Sequence, residues 1–368
     1  MVVLMNKDSI YGLTLDQLAA GSCQYGLWLV GGSVMEISIR KIEVMQTSTE
    51  LTVSDILGTW KARWGINRMN FKVEPGLYSI GKPDCNSPVL VSANYKMSFD
   101  MLRKELNGID VWILVLDTKG INVWCAAGKG TFGTRELQNR IAIVQLEKVV
   151  SHRTVILPQL GAPGISAHEV LKYSGFKVLY GPVKAKDVKE FINSGMKATA
   201  EMRTVRFSAY DRLVLTPVEL VSSFKVSLMI FGVLFLLNLL GFGPFGFVDL
   251  YAYMGAVLVG CVLTPVLLPW IPGRAFAWKG WLVGFIWAML VNVLNGWTAV
   301  PLYSILRALG YLLILPSVSA YFAMNFTGSS TFTSFSGVLK EMRIAVPAIS
   351  ISIVLGIVLV LVSSFINL

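Results

Sequence analysis

Residues 120–134 read GINVWCAAGKGTFGT and contain the two side chains best suited to chemistry, a thiol and an amine. Cys125 and Lys129 are four positions apart, so on a helix they would lie one turn from each other. A cysteine in such a place can be an activated thiol, a metal ligand or a small buried apolar side chain. A phosphate-binding loop is disfavoured, because that motif needs glycine where Val123 stands and Ser or Thr where Gly130 stands. The spacing leaves the first three alternatives open.

The sequence around this segment alternates between β-branched runs and helical patterns. This order predicts an α/β domain with a Rossmann-like, mostly parallel sheet. Ser166 and Glu169 have the spacing of a capping box at the start of the third predicted helix. Residues 1–87 are harder to interpret and are assigned to the same domain. The predicted strands are 88–92, 111–117, 154–157, 177–180 and 213–216, and the predicted helices are 98–106, 134–150, 166–174 and 185–195.

The loops after four of the predicted strands are rich in small residues. In open parallel sheets, ligands bind beyond the carboxyl ends of the strands. Small residues there let the backbone approach a large flat ligand closely. Ser92 and Asn94 stand in the first of these loops and Cys125 in the second, so we expect the functional site at this edge. The four loops are residues 92–94, 118–133, 158–164 and 181–182.

Composition divides the chain into two parts. Of its 368 residues 54% are hydrophobic and 15% charged, which is too apolar for an ordinary soluble protein. Only nine of the charged residues lie beyond residue 218. We therefore predict a soluble domain at residues 1–218, with its core at 60–216, and a transmembrane domain at 219–368. The net charge of +10 suits anionic lipid or an acidic partner protein, and no nucleic-acid motif accompanies it.

Five apolar segments of the second part are long enough to cross a bilayer as helices. Basic residues occur in the second and fourth connecting loops and not in the first and third. By the positive-inside rule, the chain is then a multi-pass protein of the cytoplasmic (inner) membrane, with the soluble domain inside and the C-terminus outside. The apolar run at residues 1–5 is too short for a signal peptide, which agrees with this orientation. The five segments are residues 221–242, 250–271, 276–295, 299–324 and 344–367.

Arg307 falls inside the fourth apolar segment and is the only strongly charged residue predicted at membrane depth. It is either part of a site or extends to the outer interface from a helix that begins late. The segments lack the repeated acids and the broken-helix pairs of a transporter pathway, so the predicted role of the helices is anchoring.

Residues 122–129, NVWCAAGK, resemble the cap-helix signature of the mercury-methylation corrinoid proteins (HgcA type). The resemblance extends over nearly the entire chain, since residues 60–216 resemble the corrinoid domain of that family and the five apolar segments resemble its membrane anchor. That corrinoid domain is itself similar to the corrinoid iron–sulfur protein of the acetyl-CoA pathway. The resemblance implies a corrinoid cofactor of the cobalamin type, with Cys125 as the lower axial ligand of its cobalt.

The resemblance also implies roles for the neighbouring residues. Asn122 would orient the sulfur of Cys125 by a hydrogen bond, and Trp124 is either a cofactor contact or a core anchor. The helix would be kept slim against the ring by Ala126, Ala127 and Gly128. The predicted cofactor-binding set is completed by Val123, Lys129, Thr131, Leu160, Gly161, Ala162, Pro163 and Gly164, with Ser92 and Asn94 at the neighbouring strand end.

The histidines and the other cysteines of the chain lack the patterns expected of metal ligands, which favours Cys125 as the cobalt ligand. Many corrinoid proteins ligate cobalt through the histidine of an Asp-x-His-x-x-Gly motif, but His152 and His168 have neither that Asp nor that Gly, so we expect both to be structural. The other cysteines, Cys23, Cys85 and Cys261, show no paired spacing. A cytoplasmic location disfavours disulfide bonds among them.

The activity that the resemblance implies is methyl transfer. A methyl group from methyltetrahydrofolate, or from its methyltransferase, would pass to Cys-ligated cobalt and from there to Hg(II), forming methylmercury. The sequence has no four-cysteine cluster pattern, so an HgcB-like ferredoxin with two [4Fe–4S] clusters would supply the low-potential electrons. The alternatives are a corrinoid methyl carrier of one-carbon metabolism with another acceptor, and a membrane sensor or transporter that binds cobalamin.

Overall fold

The computed structural model describes residues 43–241, 245–297, 302–330 and 335–366. The described residues form two compact units. The first contains the residues up to Ala62 together with Asn67–Val205, and the second contains Arg63–Ile66 together with the residues from Arg206 onward. The compact units therefore divide after Val205, whereas the predicted domain border lies after residue 218. The short apolar run at residues 1–5 and Cys23 lie outside the described residues.

The first unit is built on one six-stranded sheet with the order β1-β2-β4-β3-β5-β6. Strands β3 to β6 run parallel, whereas β2 is antiparallel to β4 and β1 is parallel to β2. The predicted Rossmann-like, mostly parallel sheet is confirmed. The strands are β1 (Val44–Gln46), β2 (Gly76–Ile80), β3 (Val89–Ala93), β4 (Val111–Leu116), β5 (Thr154–Leu157) and β6 (Lys177–Tyr180).

Helices cover both faces of this sheet, which explains why its strands are continuous apolar runs. Alternate residues of β4 enter two different cores: Leu114 and Leu116 lie in one, and Ile113 and Val115 in the other. The helices of the first unit are α1 (Val53–Arg63), α2 (Lys96–Arg103), α3 (Val123–Lys129), α4 (Thr134–Ile143), α5 (Leu146–Val149), α6 (Ala167–Ser174) and α7 (Val188–Asn193).

Three local predictions are corrected by the structure. The helix predicted over 134–150 is interrupted at Gln145, whose left-handed backbone (φ 48°) separates α4 from α5. The capping box predicted at Ser166 does not form, because the Ser166 hydroxyl contacts His168 Nδ1 at 3.1 Å instead. The strand predicted over 213–216 does not form, because Ser208 and Asp211 form a capping box that starts the helix Ala209–Leu213, and a two-residue turn then leads into the helix Thr216–Leu239.

The second unit contains five helices that are long and apolar enough to cross a membrane. They correspond to the five segments predicted from composition. Their bounds are Ala209–Leu239, Phe247–Leu267, Phe276–Leu294, Ser304–Gly328 and Ser336–Ile366. By secondary structure, they are formed by α8 (Ala209–Leu213), α9 (Thr216–Leu239), α10 (Phe247–Leu258), a π-helical turn (Val259–Leu263), α11 (Thr264–Leu267), α12 (Phe276–Leu294), α13 (Leu302–Asn325) and α14 (Phe335–Ile366).

Small residues bring α12 and α13 into close contact. A Cβ atom at Gly280 would lie 2.7 Å from the carbonyl oxygen of Ser319, and one at Gly284 would lie 2.6 Å from the Ser319 Cβ atom. Close backbone approach at glycine is a common way for membrane helices to associate.

Arg307 has an acidic partner in the second unit. Its Nη2 atom lies 3.0 Å from Oδ1 of Asp249, near the start of α10, and the Tyr311 hydroxyl donates a hydrogen bond to the same carboxylate. The guanidinium also lies 5.0 Å from the centre of the Trp297 ring. A paired guanidinium over an aromatic ring is far less costly to bury than a free one. Asp249 and Arg307 are thus a partnered pair within the second unit.

Candidate functional site

Asn94, at the carboxyl end of β3, binds the loop after β4 through hydrogen bonds. The Asn94 Oδ1 atom accepts hydrogen bonds from the Thr118 amide (3.1 Å), the Thr118 hydroxyl (2.9 Å) and the Gly120 amide (3.0 Å). Its Nδ2 atom donates to Asp117 at 3.2 Å. Asn94 is 2% exposed, so these bonds form away from water, where their loss would leave unsatisfied polar groups. Asn94 therefore fixes the path of the chain towards α3.

Gly120 permits the turn that leads into α3. Its φ of +72° is in the left-handed region, and a Cβ atom there would lie 2.8 Å from the carbonyl oxygen of Met69. A residue with a side chain would be strained in this conformation and would also displace the Met69 backbone.

Asn122 begins α3 and binds Cys125 through the backbone. Its Oδ1 atom accepts a hydrogen bond from the Cys125 amide at 2.9 Å, the geometry of an N-cap. The bond from Asn122 to the cysteine sulfur stays a prediction, and the contact that the structure shows is the one with the cysteine amide. Asn122 thus sets the position of Cys125 by fixing the first turn of the helix.

The two faces of α3 differ in burial. Ala126 and Ala127 are buried and belong to the core beneath the helix. Cys125, Gly128 and Lys129 are exposed, and Trp124 is 38% exposed. A Cβ atom at Gly128 would meet nothing within 4 Å. The exposed side of the helix therefore presents the Cys125 thiol and, at Gly128, backbone without a side chain. The two alanines on the other side let the helix lie close to the sheet.

The turn at Gln159–Gly164, which follows β5, packs against α3. A Cβ atom at Gly164 would lie 2.2 Å from the carbonyl oxygen of Phe132 and 3.1 Å from Ala127 Cα. Gly161 is buried against the Phe132 ring, whereas Pro163 is exposed and Leu160 and Ala162 are half-buried. Two of the predicted loops, after β4 and after β5, are thus brought together at the carboxyl edge of the sheet.

Several of the predicted site residues are in contact with other parts of the domain. Ser92 is buried within β3, and its hydroxyl lies 3.4 Å from the Ala93 carbonyl oxygen. Thr131 donates its amide to the Ala126 carbonyl at 3.0 Å, which closes the end of α3. Val123 is partly buried against the core. Ser92 and Asn94 support the edge from within the sheet, and the exposed positions belong to α3 and the Gln159–Gly164 turn.

Thr118 was missed by sequence reasoning although it is fully buried beside the site. Its hydroxyl lies within hydrogen-bond distance of Asn94 Oδ1 and of the Ile121 carbonyl oxygen (2.7 Å). In the sequence, the feature that could have indicated this role is the position of Thr118, directly after a buried strand and directly before the turn at Lys119 and Gly120.

Asp117 is the acidic group nearest to this loop in sequence. Burial alone would raise the pKa of its carboxyl, but the hydrogen bond from the Lys119 ammonium, 2.5 Å away, and the charge of Arg140 hold that pKa below its ordinary value. Its amide donates to Glu136 Oε1 at 2.9 Å, and Glu136 is in turn paired with Arg140 at 2.8 Å. Asp117 is therefore ionised at neutral pH and acts as a fixed structural charge.

Two cysteines are free in the part of the chain that the structure describes, and they differ in burial. Cys125 is exposed and Cys261 is buried in the second unit. Cys85 is disulfide-bonded, so the expectation of separate thiols is wrong for this residue. A disulfide depends on the distance between two residues in the fold, which sequence spacing does not reveal. His152 accepts a hydrogen bond at Nδ1 from the Thr154 amide and lies 2.9 Å from the Ser87 carbonyl oxygen, as a structural histidine would.

This arrangement suits a large flat ligand that contains a soft metal. A thiol sulfur is a soft donor, and Cys125 presents it on a helix held by an N-cap and by close packing at Gly164. Gly128, one turn further along, leaves room for a ring to lie against the backbone. The residues at the edge therefore fit the cofactor that the sequence resemblance implies.

Comparisons with known proteins extend over the first unit. Residues 38–192 match the family described as CO dehydrogenase/acetyl-CoA synthase delta subunit. The gamma subunit of the acetyl-CoA decarbonylase/synthase complex of Methanopyrus kandleri is 34% identical over 123 residues, which is 33% of this chain and 26% of that protein. Its counterpart in Archaeoglobus fulgidus is 28% identical over 202 residues, covering 51% of this chain and 41% of that protein.

The chain thus spans about a quarter of the length of the first of these relatives and about two fifths of the second. The family match ends at residue 192, before the apolar helices begin. The predicted similarity of the soluble part to a corrinoid protein of the acetyl-CoA pathway is supported over that range.

Proposed function

We propose that the chain is a membrane-anchored, corrinoid-dependent methyltransferase of the mercury-methylation type. It takes a methyl group from a methyltetrahydrofolate-type donor and transfers it to Hg(II), forming methylmercury. The observation that carries this proposal is the exposed Cys125 thiol on α3, within the sequence NVWCAAGK and at the carboxyl edge of a mostly parallel sheet. Similarity to subunits of acetyl-CoA decarbonylase/synthase supports the corrinoid part, and resemblance of the octet to the HgcA family supports the choice of acceptor.

Cys125 would hold the cobalt of the corrinoid through its sulfur. When bound, this cofactor supplies a metal centre that can carry a methyl group. A thiolate would be a soft, strongly donating ligand of that metal and would favour release of the methyl group to an acceptor. Asn122 keeps the cysteine backbone in place through its 2.9 Å bond to the Cys125 amide. Gly128 leaves the face of α3 open for the ring.

The other predicted contacts have separate roles in this proposal. Lys129 is exposed at the end of α3 and can interact with the acidic or amide edge of the ligand. Leu160, Ala162 and Pro163 project from the turn after β5 with partly or fully exposed side chains. They are suited to contact the tail of the cofactor. Trp124, 38% exposed, borders the thiol on the same helix.

Electrons for this cycle would come from a partner. The sequence contains four cysteines without cluster spacing, so the chain itself has no pattern for an iron–sulfur cluster. We assign this role to an HgcB-like ferredoxin with two [4Fe–4S] clusters. The methyl donor would be methyltetrahydrofolate or its methyltransferase.

The membrane location is part of the proposal. Five helices have the length and apolarity to span a bilayer, and the basic residues in alternate loops favour a cytoplasmic first unit with the C-terminus outside. A reporter fused after Leu368 should behave as periplasmic in a bacterial host. Cytoplasmic activity of that reporter would contradict an odd number of crossings.

A second candidate is a corrinoid methyl carrier of one-carbon metabolism whose acceptor is not Hg(II). The similarity to subunits of acetyl-CoA decarbonylase/synthase favours this candidate. Both candidates use Cys125 in the same way, so only the acceptor separates them.

The acceptor is tested in cells that contain the ferredoxin partner and lack their own copy of this gene. Wild-type protein should form methylmercury from added Hg(II), and Cys125→Ala should lose that activity. Cys261→Ala is the matched control, because that thiol is buried in the second unit, and it should remain active. Normal methyl transfer to another acceptor with no methylmercury from the wild type would favour the second candidate.

A further inference from the structure

Residues 199–204 of the first unit form a turn that packs on the loop after β6. The Val183 amide donates a hydrogen bond to the Met202 carbonyl oxygen at 2.8 Å, and the Met202 amide donates to the Thr199 hydroxyl at 3.3 Å. The Met202 side chain is 5% exposed and lies in one of the two cores of the sheet. Val183 follows the end of β6 by three positions, so the turn is fixed at the carboxyl edge of the sheet.

The Arg203 side chain lies at the same edge, beside the turn after β5. Its Nη1 atom donates a hydrogen bond to the Gln159 side-chain oxygen at 3.2 Å. Gln159 is half-buried, and its amide donates to the Pro182 carbonyl oxygen at 3.4 Å. Gln159 is also the first residue of the turn Gln159–Gly164, which packs against α3. The guanidinium of Arg203 is therefore held next to the turn that borders the candidate site.

This guanidinium has hydrogen-bonding capacity left for a ligand. Arg203 is exposed, and in the part of the chain that the structure describes it forms no ion pair. The bond to Gln159 uses one of the N–H groups of a side chain that has five. Because Gln159 is neutral, the positive charge of Arg203 is not compensated by this contact. A planar guanidinium of this kind binds a phosphate or a carboxylate through two parallel hydrogen bonds.

The corrinoid of the proposed function carries an anionic group that matches Arg203. The amide side chains around a corrin ring are neutral, whereas the tail that joins the ring to its nucleotide base contains a phosphodiester. The exposed and half-buried side chains of Leu160, Ala162 and Pro163 are already suited to contact this tail. Arg203 adds a positive charge at the first residue of the same turn. Charge complementarity therefore favours the phosphate over the neutral amides as the group that Arg203 binds.

We propose that Arg203 binds the phosphate of the nucleotide tail, so that the site selects corrinoids with this tail over corrinoids without it. The inference rests on the proposed corrinoid site at Cys125. Residue 203 lies beyond the segment 38–192 that the family match covers. Gln159 is the positioning residue, because its hydrogen bond holds the guanidinium in place before the ligand arrives.

The phosphate contact is measured by equilibrium titration of the purified full chain with cobinamide and with cobinamide phosphate. These two corrinoids differ by the phosphate alone, so the ratio of their affinities isolates this contact. We expect the wild type to bind cobinamide phosphate about tenfold more tightly than cobinamide. Arg203→Gln should bring the two affinities to the same value and leave the affinity for cobinamide unchanged.

Lys177→Gln is the matched control for the loss of charge. It removes one exposed positive charge from the first residue of β6, at the opposite edge of the sheet. This variant should retain the wild-type ratio of affinities. A similar decrease of the ratio in both variants would mean that the overall charge of the protein attracts the phosphate, and would overturn the role of Arg203.

The remaining outcomes also decide the proposal. Equal affinities of the wild type for the two corrinoids, or a preference for the phosphate that survives in Arg203→Gln, would contradict it. An equal loss of affinity for both compounds in Arg203→Gln would assign the residue a structural role instead. If the wild type bound neither compound, the corrinoid site of the proposed function would itself be wrong, so the two failures are distinguishable.

Discussion

The Asn122 side-chain oxygen lies 2.9 Å from the backbone nitrogen of Cys125. This N-cap fixes the first turn of α3, and with it the direction in which the Cys125 thiol leaves the sheet edge. Asn94 supports the preceding loop through three accepted hydrogen bonds. The position of the thiol therefore depends on two asparagines, which act through the backbone of α3 and of the loop before it.

Removing the N-cap should loosen the helix that carries the thiol. Asn122→Ala is expected to destabilise α3 by about 1 kcal/mol, because one amide at its start loses its partner. The hydrogen exchange of residues 123–129 should rise accordingly. Asn122→Asp retains the acceptor oxygen and should restore normal exchange. Equal loss in the alanine and aspartate variants would mean that the amide group of Asn122 has another role.

Gly128 should control access of the cofactor to α3 without affecting the fold. A Cβ atom there would meet nothing within 4 Å, and leucine has a higher helix propensity than glycine, so Gly128→Leu should fold normally. Its side chain would occupy the space above the helix, and corrinoid binding to the purified protein should fall at least about tenfold. Lys172→Leu, at an exposed position of α6, is the control. Unchanged binding by Gly128→Leu would mean that the ring does not lie over this turn.

Asp55 should make the stability of the first unit sensitive to acid. Burial raises the pKa of this carboxyl, but the bonds from Lys96 and Thr52 hold it well below its ordinary value of 3.8. Because the folded-state pKa is depressed, the ion pairs contribute fully above about pH 4 and are lost as the pH falls towards the folded-state value.

Asp55→Asn should therefore lower the free energy of unfolding at neutral pH by about 2 kcal/mol, because Lys96 and Arg103 each lose a charged partner while Arg103 keeps Asp100. Its stability should also depend less on pH below about pH 4. Thermal unfolding of the detergent-solubilised chain across this range measures both effects. An identical pH dependence in the variant and the wild type would contradict the role assigned to Asp55.

The Asp249–Arg307 pair should behave as one energetic unit. Asp249→Asn leaves the guanidinium without its charged partner, and Arg307→Gln leaves the carboxylate without its own. Each single change should destabilise the second unit, whereas the double variant should lose less than the sum, with a coupling energy of about 1–3 kcal/mol. Thermal denaturation of the four proteins in one detergent provides the comparison. Additive losses would show that the two groups do not depend on each other.

The sheet was predictable where the signal is local. Strands β3 to β6 are short apolar runs bounded by loops, and their predicted bounds agree with the structure to within one residue. Strand β2 (Gly76–Ile80) was not predicted, because its sequence GLYSI contains only one β-branched residue and so gives a weak local signal. The segment 213–216 has β-branched residues, but the capping box at Ser208 and Asp211 decides its conformation.

The candidate site was predictable in position but not in its internal contacts. The place of Cys125 after a buried strand follows from the general geometry of parallel sheets. That Ala126 and Ala127 face the core while Gly128 faces outward depends on the rotation of α3, which the turn at Gly164 and Phe132 determines. Likewise Asp249 precedes Arg307 by 58 positions, so only the fold identifies it as the partner.

The visible absorption spectrum of the corrinoid-loaded protein, compared between the wild type and Cys125→Ala, tests cobalt–thiolate ligation most directly. Cys125 is exposed and Cys261 is buried, so Cys261→Ala is the control for loss of a thiol. We expect the wild type and Cys261→Ala to show the same sulfur-ligated spectrum, and Cys125→Ala to lose it while the domain remains folded. An unchanged spectrum in Cys125→Ala would contradict cobalt ligation by this thiol.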